Sequence, residues 1–170
     1  MARALVIGLL LVIAALVEVS LLPVLTVSGF TPDLLLLLVI AFALDDGALT
    51  GVRVALPAGL LTDLLSSTTP LGLSALVYLG VGYGVGAARP YLAPESLTAP
   101  TLFAGAGTFL GVGGYGILSA LLARASASAL LVAEAALVAT VYAILLAPGA
   151  FALTRYVDRH FPVEVPSTSG

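Results

Sequence analysis

The sequence predicts an all-α integral membrane protein, a compact bundle of six transmembrane helices. Three observations lead there. Apolar residues make up 61% of the 170 positions and charged residues 9%, against roughly 45–50% and 25% in soluble domains. Mean hydropathy is +1.20. Apolar runs near the length of about 20 residues that a helix needs to cross a bilayer recur along the chain.

The first span is expected over Ala4–Leu22, behind Arg3. This run is too long for the core of an ordinary signal peptide, contains Glu18, and leads into further apolar segments instead of a cleavage site. Pro23–Pro32 reads as a loop. Asp33 then opens the run DLLLLLVIAFAL, where a preceding proline and an acid in the first turn suit a helix N-terminus. From Asp33 to Gly47 a helix rises only about 22 Å, so this segment is either a short span or a re-entrant piece. A third helix follows to Leu65, with Pro57 inside it, and SSTTP closes it. Further spans are expected over Leu71–Ala88, Thr98–Ala123 and Ala129–Leu153. Residues 1–154 form the membrane domain and 155–170 a polar cytoplasmic tail.

Arginine placement decides the number of crossings, since cytoplasmic loops carry the basic excess. Six crossings with an internal N-terminus put Arg3, Arg53, Arg89, Arg155 and Arg159 inside and Arg124 alone outside. If the second segment fails to cross, two arginines lie inside and four outside. Six crossings with both termini cytoplasmic is the consistent topology. It directs Glu18, Asp33, Asp63 and Glu134 toward the outer face.

Gly47, Gly51, Ala55 and Gly59 recur at intervals of four and end on Asp63. Small residues so spaced let a second backbone approach closely, which membrane helices use because lipid supplies no hydrophobic drive for association. Similar stripes occur at Gly80 and Gly84, at Gly107 and Gly111, and at Ala135, Ala139, Ala143 and Ala147. An intramembrane carboxylate is costly in lipid and marks a candidate site. Glu18, Asp63 and Glu134 are accordingly read as lining an outward-facing polar pocket with Arg124 at its rim. The plainer reading has these acids reaching headgroups and water from the helix ends.

Several chemistries are excluded. The chain has no cysteine and no lysine, which removes disulfides, thiolate sites, a P-loop lysine and a Schiff base. A net charge of -3 offers no basic surface to nucleic acid. GAGTFLGVGGYG from Gly105 lacks dinucleotide-fingerprint spacing and a preceding strand. Gly72-Leu73-Ser74 resembles part of a rhomboid-type serine motif, yet the lone histidine, His160, follows the last span and gives it no base. Asp45, Asp46 and Asp63 partly resemble the aspartate motif of CDP-alcohol phosphotransferases. Along a helical path Asp46 and Asp63 stand about 26 Å apart, too far for one two-metal site.

The order of motifs carries a resemblance of its own. Glu18 stands near the end of the first span, and Phe30-Thr31-Pro32-Asp33 opens a leucine-rich helix. The glycine ladder leads into Gly59-Leu60-Leu61-Thr62-Asp63-Leu64-Leu65-Ser66, followed by Pro70-Leu71-Gly72-Leu73-Ser74 and Gly80-Val81-Gly82-Tyr83. This order resembles the rod shape-determining MreD family over nearly all six spans, with Pro32, Asp33, Gly59, Asp63, Pro70 and Gly72 as the motif residues. Thr31 stands where relatives often carry arginine, and Thr68 and Thr69 where they often carry glycine.

The resemblance implies a non-enzymatic component of the bacterial elongation machinery, without cofactor or metal, in the cytoplasmic (inner) membrane. Its implied partner is the single-span protein MreC, and indirectly the actin-like MreB, the glycosyltransferase RodA and its transpeptidase in lateral peptidoglycan synthesis. The family fold is similar to the substrate-binding subunits of energy-coupling-factor transporters, which supplies an alternative function, binding of a small solute such as a vitamin. Because the chain lacks native cysteine, single cysteines test the topology directly. Ser67→Cys is expected to react with a membrane-impermeant thiol reagent from outside and Ser167→Cys is not; the reverse pattern contradicts six crossings.

Overall fold

The computed structural model describes residues 2–20, 31–66, 71–91, 98–123 and 128–160. They form α1 (Ala2–Ser20), α2 (Leu34–Asp46), α3 (Ala48–Leu65), α4 (Leu73–Ala88), α5 (Thr98–Ala123) and α6 (Ala129–His160), with a 3-10 turn at Arg89–Tyr91 after α4. Six helices stand where six spans were expected. Helix α6 continues through His160, so Arg155 to His160, the first residues of the expected tail, are helical. The expected Pro23–Pro32 loop, except Thr31 and Pro32, lies outside the described residues, as does most of the SSTTP segment.

Helix α2 organises the bundle. Every residue from Leu35 to Leu44 is buried, and α2 packs against each of the other five helices. A helix that is apolar all round belongs in an interior. Its 13 residues rise about 20 Å, short of a full crossing. By length and composition α1, α3, α5 and α6 qualify as membrane spans. The large apolar side chains left outside the bundle are extensive: Leu5 is 75% and Leu145 70% exposed. Such a surface suits lipid, not water.

The ends of α2 follow from local chemistry. Asp33 is its N-cap, and its Oδ1 accepts from the Leu36 N–H at 2.8 Å, satisfying an otherwise orphan amide. At the other end Gly47 has φ 93 and ψ −178, a region essentially restricted to glycine. Its N–H donates to the Ala43 carbonyl at 2.8 Å, and α3 begins at the next residue. One glycine thus ends α2 and reverses the chain into α3.

Helices α3 and α4 approach through small residues along their whole length. A Cβ added at Gly59 would lie 2.3 Å from Ala75 Cα, one at Gly51 2.5 Å from the Gly82 carbonyl oxygen, and one at Gly86 2.4 Å from Ala48 Cα. The stripe of Gly51, Ala55 and Gly59 therefore meets α4 within the chain. Gly47 stands at the end of the stripe: a Cβ there would meet only the Arg89 side chain, at 3.8 Å, while its own carbonyl carbon would lie 2.7 Å from a Cβ added at Gly86, so it joins the close approach through its backbone and also makes the chain reversal. Helices α5 and α6 pair antiparallel, with Gly105 against Ile144 and Gly116 against Val132.

These contacts set a contrast in stability. Gly59→Ala is expected to destabilise the protein by about 1–3 kcal/mol, the usual cost of overpacking, read as a lower Tm in detergent. Gly80→Ala, where a Cβ meets nothing within 4 Å, should leave Tm unchanged or raised. Equal effects would contradict the α3–α4 interface.

Candidate functional site

Polar side chains concentrate at the two ends of α2. At the Asp33 end, α1 brings Glu18, α3 brings Thr62 and Ser66, α4 brings Ser74 and Tyr78, and α5 brings Tyr115 around a cavity of about 290 Å³. Ala135 and Ala139 of α6 complete the wall. The Glu18 Oε2 accepts from the Leu35 N–H at 3.3 Å, so two carboxylates, Glu18 and Asp33, sit on the positive end of the same helix.

A buried tyrosine links this end to the rest of the bundle. Tyr78 is 3% exposed, and its hydroxyl donates to Asp33 Oδ2 at 2.5 Å. The Thr62 hydroxyl lies 3.3 Å from the Tyr78 oxygen and 3.2 Å from the Ala58 carbonyl, one turn back in its own helix. A phenol in an apolar span needs an acceptor, and the α2 cap supplies it.

Asp63 is buried, and the backbone of α4 takes up its carboxylate. The Gly72 N–H donates to Oδ2 at 2.8 Å, the Ser74 N–H to Oδ1 at 3.1 Å and the Ala75 N–H to Oδ2 at 3.4 Å. The N-cap of α4 is Gly72, at φ 97, which has no side chain to cap with. Asp63 performs that task from the neighbouring helix, and so ties the end of α3 to the start of α4 while fixing Ser74 on the cavity wall.

Of the residues expected to share a pocket, Glu18 lines the cavity and Asp63 stands behind its wall. Glu134 is exposed on α6 and does not join them. Ala135 and Ala139 take the inward face, and a helix turns about 100° per residue, so Glu134 points elsewhere. Arg124 and Pro70 lie outside the described residues. Among the motif residues, Pro32 and Asp33 line the cavity, Gly59 makes the α3–α4 contact, and Gly72 occupies the left-handed cap.

At the opposite end Arg3 pairs with Asp46, and with Asp158 at 2.7 Å. The Thr154 hydroxyl donates to Asp45. The start of α1, the end of α2 and the end of α6 therefore meet, and both ends of the helical domain lie on one side of the bundle. Asp45 and Asp46 are at the end away from Asp63, which separates the acids of the partial phosphotransferase motif.

Sequence reasoning missed Tyr78, Thr62 and the Arg3–Asp46–Asp158 cluster. Signals existed: Tyr78, the first of two tyrosines in a glycine-rich span, and acids at both ends of a wholly apolar helix.

An all-helical bundle with a leucine exterior and polar groups gathered at its two ends is a multi-pass membrane protein. The family model of rod shape-determining protein MreD matches residues 1–157. The chain belongs to the MreD family and is a rod shape-determining membrane protein. No curated protein and no solved structure matches it, so the likeness to energy-coupling-factor subunits gains no support from known structures.

Asp63→Asn keeps an acceptor but loses the charge facing the α4 amides, and should cost about 1–2 kcal/mol. Asp63→Leu strands those amides and should cost more, to the point of poor accumulation. Tyr78→Phe removes the donor to Asp33 and should cost about 1–3 kcal/mol. Thermal unfolding of the purified variants measures all three; an Asp63→Leu protein as stable as the parent contradicts the cap.

Proposed function

We propose that this chain is a non-enzymatic scaffold of the cell-elongation machinery, holding a single-span MreC-like partner to support lateral peptidoglycan synthesis. The observation that carries the reading is the family match across residues 1–157, essentially the whole six-helix domain. The bundle lies in the bacterial cytoplasmic membrane with the Arg3 end inside, which gathers Arg53, Arg89, Arg155 and Arg159 on the cytoplasmic side in agreement with the positive-inside rule. MreB, RodA and its transpeptidase are reached through the partner. The comparisons lend nothing to the vitamin-binding alternative.

The shape of the bundle supports a partner helix. Because the α3 stripe is used within the chain, a partner must dock elsewhere. An apolar groove of about 620 Å³ runs between α4 and α5, walled by Leu76, Gly80, Gly84, Phe103 and Leu110. A Cβ at Gly80 or Gly84 meets nothing within 4 Å, so these glycines present an open small-residue face of the kind that admits a second helix.

Copurification from native membranes tests this. Gly80→Leu and Gly84→Leu should lower the recovered MreC-like partner by on the order of tenfold, the equivalent of about 1.4 kcal/mol, without lowering the Tm of the isolated protein. Full recovery in both variants contradicts the groove. Failure of the parent protein to recover any wall-synthesis partner contradicts the scaffold reading itself.

A further inference from the structure

Among the described acids, Glu134 alone lacks a bonded partner. Glu18, Asp33, Asp45, Asp46, Asp63 and Asp158 each meet a backbone amide, a hydroxyl or Arg3, whereas the exposed Glu134 bonds no described residue. Its direction follows from α6. Ala136, Ala139, Ala143 and Ala147 are buried against the bundle, and at about 100° per residue Glu134 falls on the opposite side of the helix. Its depth follows from α5. Gly116 packs on Val132 across the antiparallel pair, which sets Glu134 level with Gly114, about 10 Å inside the Leu121 end of the apolar α5 span. Exposed Ile117, Leu121, Leu130 and Leu131 continue past it toward the outer end, so apolar side chains stand between this carboxylate and water.

A second observation is the pattern around it. Leu130, Glu134, Leu137 and Val141 are all exposed and are spaced by four, three and four residues, the seam along which one helix packs against another. A charge at one position of an apolar seam is costly alone and fixes register once a complementary group meets it.

We propose that this outward face of α6 docks a transmembrane helix of a partner protein that carries an arginine or lysine in the outer third of its span. Acyl chains covering the face would leave a carboxylate in hydrocarbon, whereas such a helix covers the leucines and pairs the charge in one surface. The pair is strengthened by the low dielectric around it. A zwitterionic headgroup is a poorer occupant, because its ammonium would have to leave the interface and descend about 10 Å past the leucines. The inference does not rest on the scaffold reading. Helix α5 meets α6 through Gly105 and Gly116 but walls the α4–α5 groove with Phe103 and Leu110, so the two surfaces lie apart.

The test places photoreactive benzoylphenylalanine at Leu137 of the whole 170-residue chain, produced at native level in native membranes, and maps the adducts formed on irradiation by mass spectrometry. The expected adduct is with a span of another membrane protein that has an arginine or lysine in its outer third. Glu134→Gln in the photoreactive chain should lower its yield by about tenfold or more, equivalent to about 1.4 kcal/mol. The Tm of purified Glu134→Gln should match the parent, since Glu134 bonds no described residue, which separates lost docking from lost folding. Glu134→Arg should abolish the adduct, and glutamate in place of the basic residue of the captured helix should restore it. Adducts with phospholipid alone, with a second copy of this chain or with a span lacking a basic residue overturn the proposal, as does an undiminished yield from Glu134→Gln or failure of the exchanged charges to restore it. An Arg124→Gln variant that loses the adduct as Glu134→Gln does would place the cation within this chain and overturn it equally.

Discussion

A helix with no polar face has to be surrounded, and α2 imposes that requirement on everything else. Its ten central residues from Leu35 to Leu44 are buried on all sides, so five helices are needed to enclose it. In water such enclosure would be driven by the hydrophobic effect. In a bilayer the acyl chains are as apolar as leucine, so enclosure rests on packing and on polar contacts. The close α3–α4 approach supplies the packing, with Gly51, Gly59 and Gly86 each leaving no room for a Cβ.

The polar contacts sit at the ends of α2, where the short helix stops before a bilayer of about 30 Å does. At one end Asp33 and Glu18 cap its amides, and Tyr78 ties that cap to α4. At the other, Asp45 and Asp46 meet Thr154 and Arg3, which hold α6 and α1. The short length of α2 is what draws ionisable groups of longer neighbours inward at both ends. The cavity beside Asp33 is a consequence: it occupies space between α2 and flanking helices that a longer central helix would fill.

Much of this was legible in the sequence, because membrane helices announce themselves by composition and length. The α2 start was readable from the Pro32-Asp33 pair, and the close-packed face of α3 from glycines at four-residue spacing. Which partner that face meets was not readable, since a small-residue stripe has the same appearance whether its neighbour is α4 or another protein. Gly47 fitted the same periodicity and also reverses the chain, a second task the repeat does not display because φ is invisible in it. Asp63 was singled out, but its partners are backbone amides of α4, which no residue pattern identifies. Glu134 was grouped with the pocket from its depth alone; the face of a helix, not its depth, decides what a side chain meets. The Arg3–Asp158 pair joins positions at opposite ends of the chain, beyond the reach of local spacing.

The central claim is that α2 is sealed from lipid by the other five helices. Labelling by a carbene-generating phospholipid in a bilayer, with modified residues mapped by mass spectrometry, tests it most directly. The account predicts strong modification of α1 at Leu5 and Leu9 and of α6 at Leu145, with residues 35–44 left essentially unlabelled. Modification of that segment at a level comparable with α1 would mean that α2 faces lipid, and would contradict the account.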